Sequence, residues 1–155
     1  MIIKHIWSVL CRESIINQDD NVISLFGVLE ELNTTITPNE SSLSKPAKIV
    51  IPFNFEIVNY WTKDIAKEVK MQVKTDTIDP EGKELASIVN ESIFPDTMKK
   101  LRSRLKIQGI TLTKTGIYTF KVSLKVNDEK EYKIVAELPL TVNIKLEKKA
   151  VPARN

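Results

Sequence analysis

The stretch Tyr132-Lys133-Ile134-Val135-Ala136-Glu137-Leu138-Pro139-Leu140-Thr141-Val142-Asn143-Ile144-Lys145-Leu146 decides the fold class. Its even positions, Tyr132 to Leu146, are apolar throughout, and Lys133, Glu137, Thr141, Asn143 and Lys145 occupy odd ones. Side chains on a strand alternate between two faces, so this pattern writes one wet face and one buried face.

Working outward, the same two-residue period recurs. Ile49, Ile51, Phe53, Phe55 and Ile57 form an inward row, with Pro52 on the opposite parity marking an edge strand or a bulge. Val69, Met71 and Val73 follow, and Leu85 to Phe94 makes a further strand. Leu101, Ser103, Leu105 and Ile107 face in, while Lys100, Arg102, Arg104 and Lys106 face out. Tyr118, Phe120, Val122, Leu124 and Val126 give another inward row. The first strand covers Ile2 to Ile16, and a second runs from Val22 to about Ile36. Turn residues punctuate them at Gln18-Asp19-Asp20-Asn21, Asp79-Pro80-Glu81-Gly82, Gly109, Gly116 and Asn127-Asp128-Glu129-Lys130. Thr37 to Ala47, rich in proline and serine, is a long loop or crossover, and Pro95 to Lys99 is irregular. Trp61 to Glu68 reads as one helical turn or a loop. The expectation is an all-β chain: one antiparallel β-sandwich of seven to nine strands over 1–147, immunoglobulin-like, jelly-roll or C2-like, with a polar tail at 148–155.

At 155 residues, 42% hydrophobic and 28% charged, one domain has enough chain for a core without cross-links. A net charge of +3 does not by itself demand a polyanion. The lone cysteine, Cys11, forbids an internal disulfide. Lys4, His5 and Arg12 break the apolar start, which is no signal-peptide core, and no apolar run approaches the ~20 residues that span a bilayer. A reducing cytoplasm is the expected location.

Four short stretches carry a resemblance: Ile6-Trp7-Ser8-Val9-Leu10-Cys11, Phe26-Gly27-Val28-Leu29-Glu30, Ile51-Pro52-Phe53 and Gly116-Ile117-Tyr118-Thr119-Phe120-Lys121-Val122. With them the chain resembles an uncharacterised family of small bacterial all-β proteins. The resemblance implies the fold and brings no activity, because its motifs are core positions and turns.

Catalytic chemistry finds little footing. Ser42-Leu43-Ser44-Lys45 and Lys114-Thr115-Gly116 spell two of the motifs of penicillin-recognising serine enzymes, but the first lies in the Pro/Ser-rich loop and the Ser-Asp-Asn motif is missing. His5 and Cys11 share one strand six residues apart, about 20 Å at roughly 3.3 Å per residue, too far for a nucleophile–base pair. One histidine and one cysteine do not make a zinc site, and no cofactor motif is present. Acidic turns at Asp19-Asp20, Asp64, Asp96 and Asp128-Glu129 would share one end of a simple up-and-down sandwich, as calcium-dependent C2-type loops do. Turns also favour such residues for their own backbone's sake.

The outward row Lys100, Arg102, Arg104 and Lys106 has the most physical content. If 109–116 closes a hairpin, Arg104 falls opposite Lys121 and Lys100 opposite Lys125, within two residues. Facing like charges repel, so such clustering invites an acidic partner or phosphates, against the plainer alternative of a solvated face. No exposed aromatic interleaves the row, which speaks against nucleic acid. The sequence therefore predicts a non-catalytic binding or structural module for an unknown protein partner, in a bacterial or phage cytoplasm. The alternative is a peripheral binder of polyanions or anionic membranes through the six cations, with calcium assisting.

Overall fold

The structure, a computed structural model, describes residues 2–37 and 48–147. The loop expected at 37–47 (beyond Thr37), the Ser42–Lys45 motif and the tail at 148–155 lie outside the described residues. Nine strands follow one another: β1 Ile3–Ile16, β2 Ile23–Val28, β3 Glu31–Ile36, β4 Ile49–Lys63, β5 Val69–Ile78, β6 Glu84–Phe94, β7 Lys100–Leu112, β8 Gly116–Val126 and β9 Lys133–Leu146. No helix occurs among the described residues, and Asp64 to Lys67 form a bend rather than a helical turn.

Two sheets divide the strands, β2-β1-β4-β7 and β3-β9-β8-β5-β6. Their inner rows meet in one core that includes Phe55, Ile57, Trp61, Phe94, Tyr118, Phe120 and Leu140. Phe55 and Phe120 cross the gap edge to face, with ring centres 5.5 Å apart. Each large side chain so buried contributes roughly 1.5–3 kcal/mol, which is why the apolar parity of the sequence fixes the faces. The architecture is the expected β-sandwich. One pairing departs from antiparallel order: β3 runs parallel to β9, from Glu31 beside Thr141 to Ile36 beside Leu146.

Three sequence expectations need correction. Val22 to Ile36 is two strands, not one: the chain turns at Leu29-Glu30, after Gly27 at φ 62°, and crosses from one sheet to the other. Gly109 does not end β7 but lies inside it at φ 87°, facing the bulge that the parity of Pro52 predicts, where the β4–β7 register shifts between Ile51 and Asn54. In β9 the even row breaks, because the β8–β9 register slips at Val122/Ser123. That slip sends Val135 toward the core and leaves Ile134 58% exposed.

The first sheet carries an additional layer. β1 pairs with β4 from Ile3 to Cys11 and with β2 from Cys11 to Ile16. Its second half, with β2, folds over the outer face of β4 and β7. Asn21 in the β1–β2 turn accepts hydrogen bonds from Arg102, and the Ser14 carbonyl accepts one from Arg104. Ser14 Oγ donates to the buried carboxylate of Glu56. Cys11 and Val58, both fully buried, pack here, outside the main core.

Candidate binding cleft beneath the first hairpin

Where the β1–β2 hairpin leans over the sheet it leaves an open cleft of about 460 Å³. Trp7 on β1 and Tyr60 on β4 form its floor, their rings 5.6 Å apart and tilted 42°. Both are half-buried. Ile16, Ile23, Leu101 and Met98 add apolar walls, and Asp20, Asn21, Lys100 and Arg102 supply polar groups. Arg102 is fixed in place by two hydrogen bonds to Asn21, at 2.7 Å to the carbonyl and 2.6 Å to Oδ1. Lys100 is exposed at the rim.

The sequence-predicted basic cluster is not assembled. β7 and β8 belong to different sheets, so their connection, Thr113 to Thr115, is a crossover rather than a hairpin, and Arg104 does not face Lys121. β7 pairs with β4 instead, which sets Arg104 beside Val58 and Lys106 beside Glu56. Lys121 and Lys125 lie on the outer face of the other sheet, on the opposite side of the sandwich. There Lys121 approaches Glu137 at 3.9 Å and Lys125 sits 4.8 Å over the Tyr132 ring. On β7, Arg102 and Arg104 hold the hairpin, and Lys106 approaches Glu56 at 4.0 Å. The crossover itself is pinned by the buried Tyr118, whose hydroxyl accepts from the Thr113 and Lys114 amides and donates to the Lys114 carbonyl.

Two titratable side chains are shifted from their ordinary values. Burial lowers the His5 pKa, with a backbone hydrogen bond at Trp7 opposing. Burial raises the Cys11 pKa, the nearby Glu56 charge adds to the rise, and a backbone hydrogen bond at Glu13 opposes. His5 belongs to a polar chain between the sheets. Its Nε2 lies 2.7 Å from Ser8 Oγ, and Ser8 Oγ donates to Asn59 Oδ1 at 2.6 Å. A hydroxyl has one proton; Ser8 gives it to Asn59 and must accept from His5. That is the reverse of the polarity a histidine-activated nucleophile needs. Asn59 and Trp61 in turn both donate to Ser103 Oγ.

Among the described residues no three His, Cys, Asp or Glu side chains come together as a metal site, so the acidic turns do not converge on one. No helix among them is long and apolar enough to cross a membrane. The cleft was not anticipated from sequence. One signal for it was present: Tyr60 is an aromatic on the outward parity of β4.

No family model and no curated protein matches the chain. Solved structures similar to it include a β-glucuronidase from glycoside hydrolase family 2, at TM-score 0.41 and 18% identity over 70% of this chain and 12% of that one. A family 123 glycoside hydrolase from Clostridium perfringens is similar at TM-score 0.40 and 9% identity, over 98% of this chain and 29% of that one. The chain thus spans less than a third of either enzyme.

Proposed function

We propose that the chain is a non-catalytic binding module of a bacterial or phage cytoplasm, and that a protein partner enters the cleft beneath the β1–β2 hairpin. The observation that carries this reading is the Trp7–Tyr60 pair on the floor of the 460 Å³ cleft, flanked by Met98 and Arg102. Aromatic rings, methionine and arginine are the side chains that protein interfaces concentrate, and rigid aromatics lose little entropy when covered. Apolar walls with Lys100 at the rim suit an apolar or aromatic anchor beside a carboxylate. The non-catalytic part of the proposal is supported by the Ser8–His5 polarity, which leaves no activated nucleophile there.

Polyanion binding through the basic strand has weaker support, because three of its four cations are engaged within the molecule. The test is affinity capture from the native host with the wild type, with a Trp7→Ser/Tyr60→Ser variant and with a Lys121→Glu/Lys125→Glu control. One protein retained by wild type and control but lost from the cleft variant is the expected result. Equal retention by all three would move the partner to another surface.

A further inference from the structure

A second surface, which meets the cleft only along the start of β7 at Lys100 to Arg102, lies along the open side of the sandwich. β7 ends one sheet and β6 ends the other, and both free edges are on this side. They are long, 13 and 11 residues, whereas the opposite edges β2 and β3 have six each. Neither β6 nor β7 contains a proline. β6 also lacks lysine and arginine, the usual guards of an exposed edge.

The seam between these edges is unsealed. A gap of about 180 Å³ is lined by Asn59, Thr75, Asn90, Ser92, Ser103 and Arg104, among others. Ile88, on the inward parity of β6, is 37% exposed, and Val89 and Ile93 on the outward parity are 47% and 53% exposed. β6 is thus a strand of the sandwich with nothing packed across much of it.

The two edges have opposite charge. β6 carries Glu84 and Glu91 and no cation; β7 carries Lys100, Arg102, Arg104 and Lys106 and no acid. Pairing β7 with its own copy would set cation against cation, and pairing β6 with its own copy would set acid against acid. Pairing β6 with a second copy's β7 matches them. Direction also agrees. β6 ends and β7 begins beside Lys63, whose ammonium bonds the Phe94 carbonyl and whose amide bonds the Lys99 carbonyl. The two strands therefore run in opposite senses.

We propose that this chain forms a two-fold dimer with a second copy of itself, β6 of each adding antiparallel to the free edge of the other's β7. A two-fold axis parallel to the strands, on the open side, leaves each strand's sense and height unchanged. It joins the four-stranded sheet of one copy to the five-stranded sheet of the other, twice. At equal height the second copy's Glu91 comes level with Arg102 and Arg104 on the same outer face. Both open edges close in one arrangement.

Light scattering of the purified chain tests this. The expected mass is about 35 kDa, twice 17.6 kDa, falling to the monomer in Glu91→Arg with an unchanged circular dichroism spectrum. Adding Arg104→Glu to Glu91→Arg in the same chain should restore the dimer. A wild type that stays monomeric at several hundred micromolar, or a dimer indifferent to Glu91→Arg, would overturn the proposal. If Glu91→Arg fails to fold, hydrogen exchange of the wild type decides instead. Amides of β6 that slow on concentration support the proposal, and amides that exchange alike at all concentrations refute it. Neither result depends on Trp7 or Tyr60, so the cleft reading stands or falls separately.

Discussion

The ammonium of Lys63 lies 3.2 Å from the carbonyl oxygen of Phe94 and 4.8 Å from the centre of that residue's ring. It also donates to the carbonyls of Lys67 and Pro95, and Lys63 is only 2% exposed. A buried cation is tolerable when several oxygens replace its water. Here those oxygens belong to the β4–β5 connection, the last residue of β6 and the β6–β7 connection, so one side chain ties together two crossovers between the sheets. Lys63→Met keeps the bulk and leaves these carbonyls without a donor. It should destabilise by on the order of 1–3 kcal/mol. A chemical-denaturation midpoint equal to that of the wild type would show that water satisfies the carbonyls equally well.

Core truncations should separate two residues that sequence parity treats alike. Phe120 is 1% exposed and meets Phe55 across the sandwich. Phe120→Ala should cost about 3–5 kcal/mol. Leu138, its partner on β9, is only half-buried, so Leu138→Ala should cost distinctly less. Urea titrations of the two variants side by side check the order, and equal losses would contradict this assignment of the faces.

Two glycines should respond differently to alanine. Gly82 closes the Asp79–Gly82 turn at φ 86° with nothing within 4 Å of a would-be Cβ, so only backbone strain opposes a side chain. A Cβ on Gly116 would meet Pro80 Cβ at 2.7 Å, a contact that must push the two connections apart. Gly116→Ala should therefore melt at a lower temperature than Gly82→Ala. The reverse order in thermal unfolding would mean that strain at Gly82 outweighs both the clash at Gly116 and the strain of its own φ of 151°.

Much of the fold was legible because buried parity repeats faithfully in β5 and β8, whereas in β7 the inner row passes from odd positions to Ile110 and Leu112 at Gly109. Period alone is silent about which strand lies beside which, and the largest error came from there. Gly109 and Gly116 look like the ends of a hairpin, yet the chain between them changes sheets and moves Lys121 and Lys125 away from Arg102 and Arg104. The slip at Val122/Ser123 was hidden because Val135 and Ile134 are equally apolar, so either could have been the buried one. The cleft depends on β1 leaving β4 at Cys11 and folding back over it. That is a curvature set by packing on Val58 and by arginine contacts far along the chain, which no local pattern encodes.

Acid should reveal His5. Burial holds its pKa below the ordinary 6.5, so the unfolded chain takes up the proton first as pH falls. Stability is therefore fully present above about pH 6.5 and declines below it, toward the lower folded-state value. His5 is the sole histidine, which makes the effect assignable. Between pH 7 and 5.5 the denaturation midpoint of the wild type should fall further than that of His5→Gln. Parallel slopes would remove His5 from the account.

Reversing Arg102 and Arg104 to glutamate together distinguishes a structural from a recognitive role for the basic strand. Their hydrogen bonds to Asn21 and Ser14 hold the hairpin that covers Cys11, and the buried thiol, its pKa raised, should react slowly in the wild type. Losing contacts to a charged donor, each worth about 1.5–3 kcal/mol, should let the hairpin lift more often. Labelling of Cys11 by a thiol reagent should then accelerate by at least about tenfold, equivalent to about 1.4 kcal/mol. The wild type should meanwhile be retained on heparin weakly if at all, and elute early as salt rises, since exposed charges are screened over about 8 Å at physiological ionic strength. Firm retention abolished by the double reversal, with Cys11 labelling unchanged, would be the signature of a polyanion site. It would return Lys100, Arg102, Arg104 and Lys106 to the role their spacing first suggested.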